Sequence, residues 1–63
     1  MSIKTARTKA GKTQSDIAQA VGVTVAAVSL WENGATMPRA GTLNKLAIYL
    51  GCTVDDLLKE DSA

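Results

Sequence analysis

Four of the five glycines in this sequence follow stretches whose apolar residues recur with helical spacing. They are Gly11, Gly22, Gly34 and Gly51. Glycine ends helices readily because it adopts the left-handed backbone conformation without steric cost. The alternation of apolar and polar residues that is typical of strands is absent, and β-branched residues are scattered along the chain. The pattern therefore predicts an all-α fold made of five short helices.

Capping residues and apolar stripes set the expected bounds of these helices. The helices are predicted over residues 2–10, from Thr13 to Gly22, from Thr24 to Asn33, over residues 39–50, and in a last segment that begins after Thr53. Thr13 with Asp16 three residues later is typical of a capping box at a helix N-terminus. In the fourth helix, apolar residues at i, i+3, i+4 and i+7 form the clearest amphipathic stripe of the chain. They are Leu43, Leu46, Ala47 and Leu50.

The chain has 63 residues, no histidine and one cysteine, which argues against several classes of protein. This length corresponds to one small domain over residues 1–63, or to a fragment of a longer protein. The commonest general base and metal ligand is missing, so we expect no enzyme, no metal site and no cofactor. Cys52 has no second thiol to pair with, so a reducing cytoplasm is the expected location. No apolar run approaches the ~20 residues of a membrane span, and the polar, basic N-terminus is unlike a signal peptide.

The formal net charge of +1 conceals a segregation of charge along the chain. Residues 1–12 carry four basic side chains and no acidic one, whereas residues 55–63 carry four acidic side chains and one lysine. The basic residues are Lys4, Arg7, Lys9 and Lys12, and the acidic ones are Asp55, Asp56, Glu60 and Asp61. The low total therefore does not exclude a nucleic-acid partner, although a solvated surface with a chance asymmetry explains the same pattern.

The segment from Gln14 to Gly34 has the organisation of two helices joined by a tight turn. A first helix of about eight residues is followed by Gly22-Val23-Thr24 and then at once by a second helix. The small residue Ala18 stands where two steeply crossing helices would touch. The pattern is that of a helix-turn-helix, whose second helix lies in the major groove of DNA. A plain helical hairpin in a small bundle is the alternative interpretation of the same spacing.

Longer motifs resemble those of one family. Residues 13–24 read TQSDIAQAVGVT, residues 28–34 read VSLWENG, residues 42–51 read TLNKLAIYLG, and residues 54–58 read VDDLL. In order and spacing they resemble the Cro/phage-repressor (XRE-type) helix-turn-helix family, over residues 3–58. The resemblance implies a five-helix, lambda-repressor-like bundle with its helix-turn-helix at about residues 14–33. It also implies binding of operator DNA, in most members as a dimer.

The resemblance assigns base reading to the outward face of the third helix, which carries Val25, Ala26, Ser29 and Leu30. Family members often have Gln, Asn, Arg or Lys there, which hydrogen-bond base edges. This face offers Ser29 alone as a hydrogen-bonding side chain. We therefore expect apolar contacts with thymine methyl groups, and specificity that depends on those contacts and on DNA shape. Exposed apolar side chains are also typical of a helix that binds a protein.

Further positions match the family's backbone contacts or its internal structure. Gln14 matches a residue that contacts a phosphate and supports the recognition helix, and Asn33 follows that helix where family members contact phosphates. Arg39 could reach a phosphate or the edge of the minor groove; solvated surface side chains are the alternative for Gln14 and Arg39. Thr24 is first a helix cap and then a candidate DNA contact. The resemblance implies a partly buried salt bridge between Arg7 and Glu32, with a structural role. Trp31 is expected in the core, and Cys52 is expected to pack as a small apolar residue.

The function expected from these observations is sequence-specific transcriptional regulation, by a phage or prophage-type repressor. The partner would be double-stranded DNA with a roughly palindromic operator, bound by a homodimer, and no small-molecule ligand is evident. The alternative is a protein-interaction module on the same fold, such as an antitoxin or an adaptor, that uses the apolar face of the third helix. An enzyme is the third and weakest interpretation, since no catalytic constellation is found.

Overall fold

The structure is a computed structural model that describes residues 2–58. Within those residues the chain forms five α-helices and no strand. The helices are α1 (Ile3–Lys9), α2 (Gln14–Val21), α3 (Val25–Glu32), α4 (Ala40–Leu50) and α5 (Val54–Leu58). The predicted all-α class with five helices is confirmed. Lys59, Glu60 and Asp61, which entered the charge argument, lie outside the described residues.

Hydroxyl side chains begin four of the five helices by accepting backbone hydrogen bonds. Ser2 caps α1, Thr13 caps α2, Thr24 caps α3 and Thr53 caps α5, with donor–acceptor distances of 3.0–3.1 Å. At α2 the Thr13 N–H also donates to Asp16 Oδ2 at 2.9 Å, which completes the predicted capping box. Arg39 precedes α4 and provides no side-chain cap.

Gly22 ends α2 and turns the chain toward α3. Its φ of 76° lies in the left-handed region, where a Cβ is disfavoured. The N–H groups of Gly22 and Val23 both donate to the Ala18 carbonyl oxygen at 2.9 Å, so the last turn of α2 is closed by the turn itself. The same left-handed conformation is found at Gly11, Gly34 and Gly51, the other three predicted stop positions.

Ten buried apolar residues contributed by all five helices form the core. They are Ile3, Ala6, Ile17, Ala18, Val21, Val28, Leu43, Leu46, Ala47 and Leu57. The largest side chains with no exposed surface are Ile17, Leu46 and Val28, from the three central helices. α2 packs on both α3 and α4, α4 packs on α5, and α1 packs on α3. Trp31 is half-buried and packs against this core, rather than lying fully inside it.

The observed helices differ from the predicted ones at their ends. α1 begins one residue later and ends one residue earlier than predicted, because Ser2 is the N-cap and Ala10 the C-cap. α3 ends at Glu32 with Asn33 as its C-cap, and α4 begins at Ala40 rather than at residue 39. No helix of the described residues has the length and apolar character needed to cross a membrane.

Candidate nucleic-acid interface

The chain between Gln14 and Glu32 forms two helices in contact, joined by the three residues Gly22, Val23 and Thr24. Ala18 is 4% exposed and lies in the core, and its helix α2 packs on both α3 and α4. Its carbonyl oxygen anchors the turn by accepting from the N–H groups of Gly22 and Val23. The geometry is that of a helix-turn-helix, with α3 as the second helix.

The two sides of α3 differ sharply in exposure. Val28 has no exposed surface, whereas Val25 and Leu30 are 44% and 45% exposed. Ala26 is also exposed, and Ser29 is half-buried. Val25, Ala26, Ser29 and Leu30 stand at i, i+1, i+4 and i+5, a spacing that places them on one face of a helix. We call these four residues the outer face of α3.

The remaining predicted contact residues lie at the ends of helices. Thr24 is the exposed N-cap of α3, and Asn33 is its exposed C-cap. Arg39 is the exposed N-cap residue of α4, and its guanidinium forms no ion pair with the other described residues. Gln14 is half-buried in the first turn of α2. Thr24 and Asn33 therefore bracket the outer face of α3 along the helix.

Arg7 joins three parts of the fold through its guanidinium group. Its Nε donates to Glu32 Oε2 at 2.7 Å, and a second nitrogen donates to Glu32 Oε1 at 3.3 Å. The third nitrogen donates to the Lys12 carbonyl oxygen at 3.0 Å. Such bidentate contact between arginine and a carboxylate is strong and geometrically specific. The last turn of α3 is thereby held to α1 and to the segment that precedes α2.

Gln14 adds a third donor to the same carboxylate. Its Nε2 donates to Glu32 Oε1 at 2.9 Å, so this oxygen receives bonds from both Gln14 and Arg7. The family resemblance implies a phosphate contact for Gln14 and support of the recognition helix, but Glu32 was not predicted as its partner. Gln14 and Glu32 are 18 residues apart, so sequence spacing carried no signal for it. We call Arg7, Gln14 and Glu32 the carboxylate network.

The carboxylate network keeps Glu32 ionised although its side chain is almost fully buried. The Glu32 side chain is 4% exposed and that of Arg7 is 16% exposed. Burial alone raises the pKa of Glu32. Hydrogen bonds from Arg7 and Gln14 and the nearby positive charge lower it by more than burial raises it, so the pKa of Glu32 lies below its ordinary value. The same hydrogen bond to Glu32 raises the pKa of Arg7 above its already high value.

Asp16 places a second negative charge at the start of α2. The Thr13 backbone N–H and then the Thr13 hydroxyl hold the pKa of Asp16 below its ordinary value. An ionised carboxylate in the first turn complements the helix dipole. Within this capping box, Asp16 Oδ2 accepts from the Thr13 N–H and the Thr13 hydroxyl accepts from the Asp16 N–H. The first-turn N–H groups of Gln14 and Ser15 have no carbonyl partner within the helix.

Several apolar side chains are exposed that the sequence did not identify as exposed, including Leu58, which was expected to pack inward. Ile48 is 81% exposed, Met37 is 65%, Leu58 is 50% and Tyr49 is 38%. Ile48 and Tyr49 fall outside the buried stripe of α4, which is the signal that could have identified them. The Lys12 ammonium lies 5.4 Å from the centre of the Tyr49 ring, a cation–π distance.

The described residues contain no group of three His, Cys, Asp or Glu side chains arranged to hold a metal ion. Cys52 is half-buried beside the core. Burial, with a smaller effect of the Asp56 charge, raises the pKa of the Cys52 thiol, so it is protonated at neutral pH. A protonated thiol is a poor nucleophile and a poor metal ligand.

Comparison with known proteins gives one match that covers most of the chain. A family model described as a helix-turn-helix matches residues 3–57, which include α1 to α4 and all but the last residue of α5. Searches of the curated proteins and of the solved structures each return no significant match. With the two-helix geometry of α2 and α3, the match establishes that the chain belongs to the Cro/C1-type (XRE) helix-turn-helix family of DNA-binding transcription regulators.

Proposed function

We propose that this protein is a sequence-specific repressor of the phage or prophage type, which binds an operator by placing α3 in the major groove. The observation that supports this most is the two-sidedness of α3. Val28 is buried without exposed surface, while the outer face bears the exposed Val25 and Leu30 and is free to enter a groove. The family membership supplies the class of ligand, which is double-stranded DNA.

The backbone contacts would come from residues at the helix ends. Gln14 and the free N–H groups at the start of α2 would face one phosphate, because helix N-termini attract anions. Thr24, Asn33 and Arg39 would contact phosphates on either side of the outer face of α3. Such contacts fix the position of the protein on the duplex and carry no sequence information. Because the formal net charge is only +1, we expect a shallow salt dependence of binding.

We further propose that two copies bind a roughly palindromic operator with half-sites about 10 base pairs apart. A candidate contact surface is the groove that Met37, Leu43, Leu57 and Leu58 line together with Trp31. Met37 belongs to the loop before α4 and Leu58 to α5, and both are half exposed or more. Sedimentation of the protein with and without operator tests this, with Leu58→Ser expected to shift the complex toward one copy per duplex.

The experiment that tests the proposed function is a selection of binding sites from random duplexes, run on three proteins. The native chain is expected to enrich one motif. Leu30→Glu places a carboxylate on the outer face of α3 and is expected to weaken binding to that motif by more than tenfold. Ile48→Glu is the matched control, because it makes the same kind of change at a more exposed apolar residue of α4.

Three outcomes contradict the proposal. One is that the native chain enriches no duplex. Another is equally tight and steeply salt-dependent binding to every duplex, which would indicate charge-driven binding without sequence readout. The third is equal weakening by Leu30→Glu and Ile48→Glu. If no duplex is enriched and a cellular protein is retained through Val25 and Leu30, the antitoxin or adaptor interpretation replaces the repressor.

Acting on chromosomal operators would place the protein in the cytoplasm, and residues 1–63 would act as one DNA-binding domain. No catalytic role is proposed for any residue. The cytoplasmic assignment is supported by the DNA-binding family and by the unpaired thiol of Cys52.

A further inference from the structure

The outer face of α3 presents mainly aliphatic carbon to any ligand. Val25, Ala26 and Leu30 contribute only hydrocarbon, and Ser29 contributes a hydroxyl. The charged residue of α3, Glu32, is 4% exposed and occupied by the carboxylate network. A helix with this face has almost no means of pairing with the donors and acceptors of a base edge.

The major groove presents one group that such a face can recognise. Each base pair shows its own pattern of donors and acceptors, and thymine adds a methyl group on C5. An aliphatic side chain gains by covering a methyl group, but it gains nothing from a carbonyl or an amino group. The methyl group of 5-methylcytosine is attached at the same ring position as that of thymine. The two bases differ at C4, where thymine has an acceptor and 5-methylcytosine has a donor.

The Ser29 hydroxyl does not separate these two bases. A hydroxyl both donates and accepts hydrogen bonds, so it can serve either the oxygen of thymine or the amino group of 5-methylcytosine. The side chains of Val25 and Leu30 have no polar atom, so they do not distinguish the acceptor of thymine from the donor of 5-methylcytosine. The outer face of α3 therefore distinguishes methylated from unmethylated pyrimidines better than it distinguishes the two methylated bases from each other.

We propose that α3 reads the C5-methyl group of pyrimidines and accepts 5-methylcytosine in place of thymine at the positions it contacts. The inference rests on the proposed function, because it requires α3 to lie in the major groove. It adds a form of regulation, since methylation of a cytosine at a contacted position would create a binding site without a change of sequence.

The test uses four versions of the selected operator that differ at one contacted pyrimidine. The position carries thymine or uracil opposite adenine, and 5-methylcytosine or cytosine opposite guanine. A reader of methyl groups ranks thymine and 5-methylcytosine above uracil and cytosine. A reader of hydrogen-bond patterns ranks thymine and uracil above the other two. We expect the first ranking, with about fourfold tighter binding for each methyl group covered.

Variants of the protein connect the ranking to particular side chains. Val25→Ala and Leu30→Ala shorten the aliphatic groups and are each expected to bring the ratio of methylated to unmethylated duplex toward one at one position of the half-site. Ile48→Ala is the matched control and is expected to leave every ratio unchanged, because Ile48 lies on α4 and is 81% exposed. Circular dichroism confirms that each variant is folded.

The outcomes separate this inference from the proposed function. Suppose that an operator is enriched but the two duplexes with adenine bind more tightly than the two with guanine, or that uracil binds as well as thymine. The proposed methyl readout is then wrong, and the proposed repressor function is unaffected. An enriched operator with no thymine at the positions that α3 contacts leads to the same conclusion. If no operator is enriched at all, both proposals fall together.

Discussion

The side-chain nitrogen Nε2 of Gln14 lies 2.9 Å from Oε1 of Glu32, and this hydrogen bond links the first turn of α2 to the last turn of α3. The turn at Gly22 joins the opposite ends of the same two helices. α2 and α3 are therefore connected at both ends, at one end by the turn and at the other by a side-chain hydrogen bond. Arg7 of α1 binds the same Glu32 carboxylate, so α1 is linked to this second connection.

Glu32→Gln is expected to destabilise the fold strongly. The substitution keeps the shape of the side chain but leaves the guanidinium of Arg7, which is 16% exposed, without its carboxylate. Breaking a buried ion pair from one side costs about 3–5 kcal/mol, and we expect about 2–3 kcal/mol here because Arg7 retains some contact with water. Urea unfolding followed by circular dichroism measures the loss.

Gln14→Ala is the control for Glu32→Gln. It removes one hydrogen bond to the carboxylate and leaves the ion pair in place, so a loss of about 1 kcal/mol is expected. Equal losses for the two variants would mean that the ion pair contributes nothing beyond one hydrogen bond.

Acidification is expected to destabilise the protein below about pH 5, near the ordinary pKa of glutamate in an unfolded chain. The folded-state pKa values of Glu32 and Asp16 are both lowered. Each group therefore stabilises the fold above its unfolded pKa, and that stabilisation is lost as the pH falls through the folded pKa. The difference in unfolding free energy between the native chain and Glu32→Gln should shrink from pH 7 to pH 3. A difference that stays constant over this range would contradict the assignment to Glu32.

Alanine at two glycines is expected to have effects of opposite sign. A Cβ at either Gly22 or Gly41 meets no atom within 4 Å, so packing does not distinguish the two positions. Gly22 has φ of 76°, and an L-residue there costs about 1–2 kcal/mol. Gly41 lies in the first turns of α4 with ordinary backbone, where alanine stabilises a helix by up to about 1 kcal/mol. The midpoints of thermal unfolding of the two variants measure both signs, and a shift in the same direction would contradict the argument.

Leu46→Ala and Ile48→Ala are expected to differ although the residues are two positions apart in α4. Leu46 has no exposed surface, and its truncation leaves a cavity that costs about 3 kcal/mol. Ile48 is 81% exposed, so its truncation is expected to change the stability by less than about 0.5 kcal/mol. Urea unfolding compares the two variants. A Leu46→Ala chain that is unfolded without urea agrees with the prediction, because a domain this small has little stability to lose.

The features that sequence reasoning predicted well depend on residues close together in the chain. The capping box of Thr13 and Asp16 spans three residues, and the end of α2 at Gly22 depends on the conformational freedom of one residue. The buried stripe of α4 repeats with the period of the helix itself. Local chemistry decides each of these, so the sequence is sufficient to predict them.

The features that were missed depend on how the helices pack. The bond between Gln14 and Glu32, and the one from Arg7 to the Lys12 carbonyl oxygen, form only after α1, α2 and α3 have docked. The identity of an outward residue is readable from helical spacing, but its degree of exposure is not. Ser29 shows this, since it shares the outer face of α3 with Val25 and is nevertheless half-buried.

Trp31, the single tryptophan of the sequence, gives the protein an internal optical probe. It directly precedes Glu32 in α3 and packs half-buried against the core, so its emission responds to any displacement of that helix. Because Val28 and Trp31 are three residues apart on the inner side of α3, a base stacked in the groove would not touch the indole. A change of fluorescence on adding a duplex would therefore report movement of α3 within the protein, or contact of a second copy with the groove that Trp31 lines.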